Sequence, residues 1–141
     1  MLLVLDSNEY LFAFGVAQKA DSRALFDRLL AERGSHQIQL PRLILGEIQR
    51  NFPVRIFREV AKLIQDFVNV DEDFMVPFEL GSKYEQMGLK PADAFIAAYT
   101  EWVGANVLVT ENRHFLTRRT DLPFKVLTAE QCLKMLGEKK G

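Results

Sequence analysis

Residues 2–8, LLVLDSN, decide the fold class that we predict from this sequence. Four apolar residues in a row that stop at Asp6 are typical of a β-strand buried on both faces, as strands of parallel sheets are. A second apolar run, VLV at 107–109, is followed by Thr110, Glu111 and Asn112. Such polar strand ends predict an α/β domain with its site beyond the carboxyl ends of neighbouring strands.

The rest of the chain alternates between strand and helix patterns. Further strands are predicted at 38–40, 67–70 and 124–127, with helical spacing of apolar residues between them. The alternation predicts a parallel sheet of about four to five strands with helices on both faces. We expect one domain over residues 1–136 and a frayed tail at 137–141.

Composition limits the class of protein without identifying a partner. The chain has 141 residues, 48% hydrophobic content, one cysteine and a formal net charge of -1. This is enough apolar material for one core, and a single cysteine excludes an intramolecular disulfide. Neither a signal peptide nor a run of about 20 apolar residues is visible, so we expect a cytoplasmic protein with no membrane span.

Three acidic residues are the candidates for chemistry. Asp6 ends the first strand, Asp93 falls in the first turn of a predicted helix that begins at Pro91, and Glu47 lies among apolar residues. Taken singly, neither acid requires a metal site. Asp93 is also explained as a helix-capping acid, and Glu47 as a solvent-facing residue. If the three converge, their like charges require a cation, and an oxygen-only set suits Mg²⁺ or Mn²⁺.

Other motifs for phosphate or acyl chemistry are absent from the sequence. It contains no G-x-x-x-x-G-K-[ST] phosphate loop, no G-x-G-x-x-G after the first strand and no G-x-S-x-G elbow. Position 8 is Asn where an Asp-x-Asp phosphotransferase would carry a second Asp.

At this point the sequence resembles the PIN-domain family, and within it the VapC-type endoribonucleases. The resemblance is carried by LVLDSN at 3–8, LGE at 45–47, GLKPADAFIAA at 88–98 and GANVLVTENRHF at 104–115. Their order and spacing extend over nearly the whole chain. The resemblance implies a three-layer sandwich and metal-assisted hydrolysis of RNA that leaves a 3′-hydroxyl and a 5′-phosphate.

The resemblance also implies roles for individual residues. Asp6, Glu47 and Asp93 match the family's three metal-binding acids, and Thr110 matches the Ser/Thr that ends its fourth strand. Where the family often has a further Asp, this chain has Asn112, which puts a second metal in doubt. Supporting roles are expected for these residues: Asn8 beside Asp6 or a phosphate, Glu111 as a substitute acid, and Arg113, Arg118 and Arg119 on the RNA backbone.

Partners are implied in the same way. We expect an RNA substrate, a homodimer and a small antitoxin that covers the site, with Leu11, Phe12 and Phe14 as candidate contacts of the antitoxin. Tyr10, Phe12 and Phe14 are also able to stack on bases, although core packing is the commoner role of such residues.

Two other readings stay open at this level. The first is a catalytically weak PIN-like module that binds RNA or protein. It is suggested by Asn112, which stands where the family often has an acid. The second is a receiver-like α/β domain, which predicts that Glu47 lies far from Asp6.

Overall fold

The structure, a computed structural model, describes residues 1–112, 115 and 121–138. Its centre is a five-stranded sheet in the order β3-β2-β1-β4-β5, in which every pair of neighbouring strands is parallel. The strands are β1 (Leu2–Leu5), β2 (Gln37–Pro41), β3 (Val68–Asp71), β4 (Val107–Val109) and β5 (Lys125–Leu127). The predicted parallel sheet is confirmed, and β1 and β4 are neighbours.

Within the described ranges, helices connect β1 to β2, β2 to β3 and β3 to β4 along the chain. They are α1 (Ser7–Phe14), α2 (Ala20–Ala31), α3 (Arg42–Asn51), α4 (Val54–Phe67), α5 (Phe78–Gln86), α6 (Pro91–Trp102) and α7 (Ala129–Glu138), with a short 3₁₀ turn at Asp73–Met75. The chain runs from β1 outward to β3, then crosses back to β4. Right-handed crossovers therefore place α1 to α4 and α5 to α6 on opposite faces, which gives the three layers.

The central strand is buried on both faces, as its continuous apolar sequence requires. Leu3, Val4 and Leu5 are completely inaccessible to solvent. On one side of the sheet, Tyr10 of α1 packs edge-on against Phe26 of α2, with ring centroids 4.9 Å apart. Because the strand order reverses between β1 and β4, a crevice is expected at their carboxyl ends, beside Asp6 and Thr110.

Two elements differ from the prediction. Helix α1 follows β1 without a loop, whereas no helix was predicted there, because Asp6-Ser7-Asn8 also suits a polar strand end. The last helix continues through Glu138, two residues into the tail that we expected at 137–141. Thr128 caps this helix, since its Oγ1 accepts a hydrogen bond from Gln131 N at 3.1 Å.

Over residues 1–112, 115 and 121–138, no helix has both the length and the apolar composition needed to cross a bilayer.

Candidate functional site

Asp6 stands at the junction of β1 and α1 and is held from both sides. Its Oδ1 accepts the Ser7 N–H at 2.8 Å, which makes Asp6 the N-cap of α1. Its Oδ2 accepts the Thr110 hydroxyl at 2.9 Å, and its own N–H donates to Val109 O at 2.9 Å. Only 6% of Asp6 is exposed. The pairing of β1 with β4 thus fixes this carboxylate.

Glu47 approaches the same end of the sheet from helix α3. Ser7 Oγ donates to Glu47 Oε2 at 3.0 Å, so the residue next to Asp6 bridges to the second acid. Ile44 and Ile48 on the same helix are fully buried, whereas Glu47 is half-buried at the edge of this apolar face. Glu47 therefore does not lie far from Asp6, contrary to the receiver-like reading.

Asp93 reaches the site from the first turn of α6. Pro91 begins that helix, and Asp93 is half-buried. Asn112 Nδ2 lies 3.5 Å from each Asp93 carboxylate oxygen, at the outer limit of a hydrogen bond. Asn112 N donates to Thr110 Oγ1 at 3.0 Å, so the hydroxyl that bonds Asp6 also holds Asn112, whose amide lies beside Asp93.

The electrostatics of this cluster follow from its burial. Burial raises the pKa of Asp6, and the nearby charges of Glu47 and Asp93 raise it further. The bonds from Thr110 and Ser7 act in the opposite direction and lower it. Among the residues whose structure is described, no Lys or Arg forms an ion pair with any of the three acids. Within the described part of the chain, this cluster of acids therefore has no protein cation paired with it.

The three carboxylates share this region, but they do not surround a common position for a metal ion. In the described part of the chain, no three His, Cys, Asp or Glu side chains stand close enough together to hold a metal ion. Each acid instead has a neutral hydrogen-bond neighbour: Ser7 for Glu47, Thr110 for Asp6 and Asn112 for Asp93.

The predicted supporting residues divide into three groups. Asn8 is exposed on the first turn of α1. Glu111 is half-buried, and its Oε2 accepts the N–H of Ala129 at the start of α7 at 3.0 Å, so this acid is held at a helix end. Arg113, Arg118 and Arg119 lie outside the described residues.

The aromatic residues of α1 are mainly engaged within the protein. Tyr10 is fully buried and belongs to the core. Phe14 packs edge-on against Phe26 at 5.0 Å between centroids, and Lys19 Nζ lies 4.2 Å from the centre of the Phe12 ring. Core packing, the commoner role of such residues, is therefore confirmed for Tyr10, and its ring has no accessible face for stacking on a base.

Two polar residues beside the acids have contacts that were not predicted from the sequence. Ser7 is 6% exposed and bridges to Glu47, a role that its place inside Asp-Ser-Asn could have suggested. Glu9 is fully buried and accepts the Ser22 hydroxyl at 2.8 Å. No pattern in the sequence indicates that burial, since an acid in the first turn of a helix is ordinarily exposed.

Comparison with known proteins gives structural matches only. No known family model matches the sequence, and no curated protein matches it significantly. A chain of the VapBC2 complex from Rickettsia felis, solved with a DNA fragment from its promoter, superimposes with a TM-score of 0.63 at 19% identity. That match covers 90% of this chain and 97% of the other.

Two further complexes contain similar chains. A toxin–antitoxin complex from Klebsiella pneumoniae matches with a TM-score of 0.63 and 16% identity over 87% of this chain and 98% of the other. The FitAcB structure from Neisseria gonorrhoeae matches with a TM-score of 0.59 and 12% identity over 91% and 98%. At such identities the likeness establishes the fold: the chain has the PIN-like α/β fold of the VapC type that its sequence resembles.

Proposed function

We propose that this chain is a Mg²⁺- or Mn²⁺-dependent endoribonuclease of the VapC type. The observation that carries the proposal is the convergence of Asp6, Glu47 and Asp93 at the carboxyl ends of β1 and β4, with the first of them nearly inaccessible to solvent. Burying an acid among other acids is costly unless a cation compensates. The PIN-like fold supports the same proposal.

The donor set fits a hard divalent cation in its chemistry. Three carboxylates with hydroxyl and amide neighbours offer only oxygen ligands of the kind that Mg²⁺ and Mn²⁺ take, and the described part of the site contributes neither Cys nor His. Binding would require the carboxylates to come closer together than they stand. Once bound, the ion would supply positive charge opposite the scissile phosphate and favour ionisation of the attacking water.

The chain's own groups have separate tasks in this proposal. Asp6, Glu47 and Asp93 hold the ion, and the Thr110 hydroxyl orients the Asp6 carboxylate. Asn112 stands beside Asp93, where it offers a neutral oxygen or a hydrogen bond to a water. The exposed Asn8 and the arginines at 113 and 118 remain our candidates for contact with the RNA backbone. In this proposal Glu111 serves at the start of α7, where it accepts the Ala129 N–H, and not as a substitute acid.

Partners follow from the same proposal. One neighbour of this fold was solved as a toxin–antitoxin complex, and VapBC2 and FitAB were each solved with DNA, so we infer an antitoxin partner for this chain. A homodimer and a cytoplasmic location are inferred from the family resemblance. Leu11, Phe12 and Phe14 are half-buried, so they offer a limited apolar surface. Phe74 and Phe78, which are 82% and 84% exposed, are further candidates for a protein contact.

The test is RNA cleavage by purified protein with Mg²⁺ or Mn²⁺, with and without chelator. We expect Asp6→Asn and Asp93→Asn to abolish cleavage, since each removes a charged metal ligand. Asp66→Asn is the matched control, because Asp66 is exposed on α4. Cleavage that persists equally in the two site variants would identify a contaminating nuclease and refute the proposal.

A second candidate is a PIN-like module that binds RNA or protein without cutting. Two observations favour it: Asn112 stands where an acid is common in the family, and the carboxylates of the described site do not enclose an ion. This candidate predicts RNA binding that chelator does not change, together with no products under any metal.

A further inference from the structure

Two acids at the end of the edge strand β3, Asp71 and Asp73, take no part in the proposed chemistry. Between them, Glu72 forms an exposed ion pair with Arg42, and exposed pairs of this kind contribute little. The pairing of β2 with β3 places Asp71 opposite Pro41, the residue that precedes α3. This register explains why an acid just beyond β3 reaches the first turn of the helix that carries the second acid of the site.

Asp73 supplies the N-terminal cap that α3 lacks in its own sequence. The residue before α3 is Pro41, which makes no side-chain hydrogen bond to the helix. Asp73 Oδ1 instead accepts the Leu43 N–H at 3.0 Å, and a carboxylate at a helix N-terminus also interacts favourably with the helix dipole. Glu47 lies one turn after Leu43 on the same side of α3. The cap therefore fixes the end of the helix from which Glu47 reaches the site.

Asp71 is bonded to the helix that carries the third acid. Tyr99 of α6 is completely buried, and its hydroxyl donates to Asp71 Oδ2 at 2.6 Å. Gln39 Nε2 lies 3.5 Å from the same oxygen, at the outer limit of a hydrogen bond. Short hydrogen bonds to a carboxylate are among the stronger ones in proteins. Asp93 lies within two turns of Tyr99 on α6, so this bond fixes its helix relative to the end of β3.

One short segment is thus attached to both helices of the site. Glu47 on α3 and Asp93 on α6 reach the carboxyl edge of the sheet from opposite faces, so their separation depends on how these two helices are held. We propose that Asp71 and Asp73 are positioning residues that set the separation of these two acids, and with it the affinity of the site for a divalent cation.

The inference rests on the proposed nuclease function, because it needs the acids of α3 and α6 to share an ion. Asp73 acts through α3, and Asp71 acts through Tyr99 and α6; neither contacts metal or RNA in this scheme. Both helices stay fixed while the acidic side chains rotate to gather around the ion. Preorganisation of this kind lowers the cost of binding.

The first comparison is between two buried tyrosines. Tyr99→Phe removes the hydroxyl that bonds Asp71. Tyr84→Phe is the matched control, since Tyr84 is equally buried and its hydroxyl donates to Glu101 Oε1 at 2.7 Å, at the opposite end of α6 from Asp93. Mn²⁺ affinity is measured by titration calorimetry without RNA, kcat and KM are measured for RNA cleavage, and stability is measured by urea unfolding with chelator.

We expect Tyr99→Phe to weaken Mn²⁺ binding at least about fivefold, whereas Tyr84→Phe should stay within about twofold of the wild type. Loss of a group that directly orients metal ligands typically costs about 10–100-fold in affinity, and Asp71 acts at one remove from the ligands. At subsaturating Mn²⁺, kcat of Tyr99→Phe should fall in the same proportion, with KM for RNA little changed. The urea midpoints of the two variants should agree, because each loses one phenol–carboxylate bond.

Asp73 is tested by removal and by rescue. Asp73→Ala removes the acceptor for the Leu43 N–H and should weaken Mn²⁺ binding at least about fivefold. Asp73→Asn keeps a side-chain oxygen, and Asn caps a helix about as well as Asp, so this variant should bind Mn²⁺ within about twofold of the wild type. Because Asn carries no charge, the rescue separates positioning from the attraction of a cation by a nearby acid.

Three results would overturn the inference. The first is an equal effect of Tyr99→Phe and Tyr84→Phe on Mn²⁺ affinity, including no effect of either. The second is an Asp73→Asn variant that binds as weakly as Asp73→Ala, which would assign the effect to charge. The third is a wild type that binds no Mn²⁺, which overturns the proposed function as well, whereas the first two refute this inference alone. If Asp73→Ala does not fold, the tyrosine pair still decides.

Discussion

Replacing Thr110 with Val removes the one hydroxyl that joins Asp6 to the segment beside Asp93. Thr110 is completely buried; its Oγ1 donates to Asp6 Oδ2 at 2.9 Å and accepts from Asn112 N at 3.0 Å. A hydrogen bond to a charged group contributes about 1.5–3 kcal/mol and one between neutral groups about 0.5–1.5 kcal/mol. The methyl group that replaces the hydroxyl in Val is buried, which offsets about 0.8 kcal/mol of the lost hydrogen-bond energy. We therefore expect Thr110→Val to lower the free energy of unfolding by about 2 kcal/mol at pH 8.

The matched control is Thr100→Val in helix α6. Thr100 is equally buried, and its hydroxyl donates to the Ile96 carbonyl one turn earlier at 2.7 Å. That carbonyl lies in the helical ladder, so loss of this back-bond should cost less than about 0.5 kcal/mol. The assay is urea unfolding at pH 8 in the presence of chelator. If Thr100→Val were as destabilising as Thr110→Val, the loss would come from the Thr-to-Val change itself, and the reasoning about Asp6 would be refuted.

Three further predictions concern charge, metal and the single thiol. Burial raises the pKa of Glu9 to about 9, so the folded protein keeps a proton that the unfolded chain loses above about pH 5. The free energy of unfolding should therefore fall as the pH rises, by up to about 1.4 kcal/mol per pH unit between about pH 5 and 9. Glu9→Gln should flatten that slope in urea titrations, and an unchanged slope would contradict the protonated state. Saturating Mg²⁺, at about 100 times its Kd, should add about 2.7 kcal/mol to the free energy of unfolding, and Asp93→Asn should lose this gain in thermal melts; equal gains would exclude Asp93 as a ligand. Cys132 is fully buried and burial raises its pKa to about 11, so a thiol reagent should label it only upon unfolding, and rapid native labelling would disprove its burial.

The sheet was predictable because its central strands are continuous apolar runs, a local pattern that indicates a buried strand without knowledge of the tertiary contacts. LLVL and VLV read as buried strands, and both are found so. Helix α1 was missed for the opposite reason: Asp6-Ser7-Asn8 suits both a polar strand end and a helix start. The acid in the first turn, Glu9, was the available sign of a helix.

The site was predictable in outline only. The rule that parallel strands end at one edge predicts that Asp6 and Thr110 meet, and they do. The bridge from Ser7 to Glu47 depends on where α3 packs, which no local pattern fixes. Glu9 is buried with its hydrogen-bond donor Ser22, which is 13 positions away along the chain, so sequence spacing could not reveal this burial.

Because Asp6 is both an acid of the site and the N-cap of α1, its presence in a related chain is weak evidence of catalysis. A variant that had lost all nuclease activity would still gain helix stability from Asp, Asn or Ser at this position. Asp93 caps no N–H of α6, and as a first-turn acid it gains only the weaker interaction with the helix dipole. The residue at position 93 is therefore the better marker for telling working enzymes from inactive descendants.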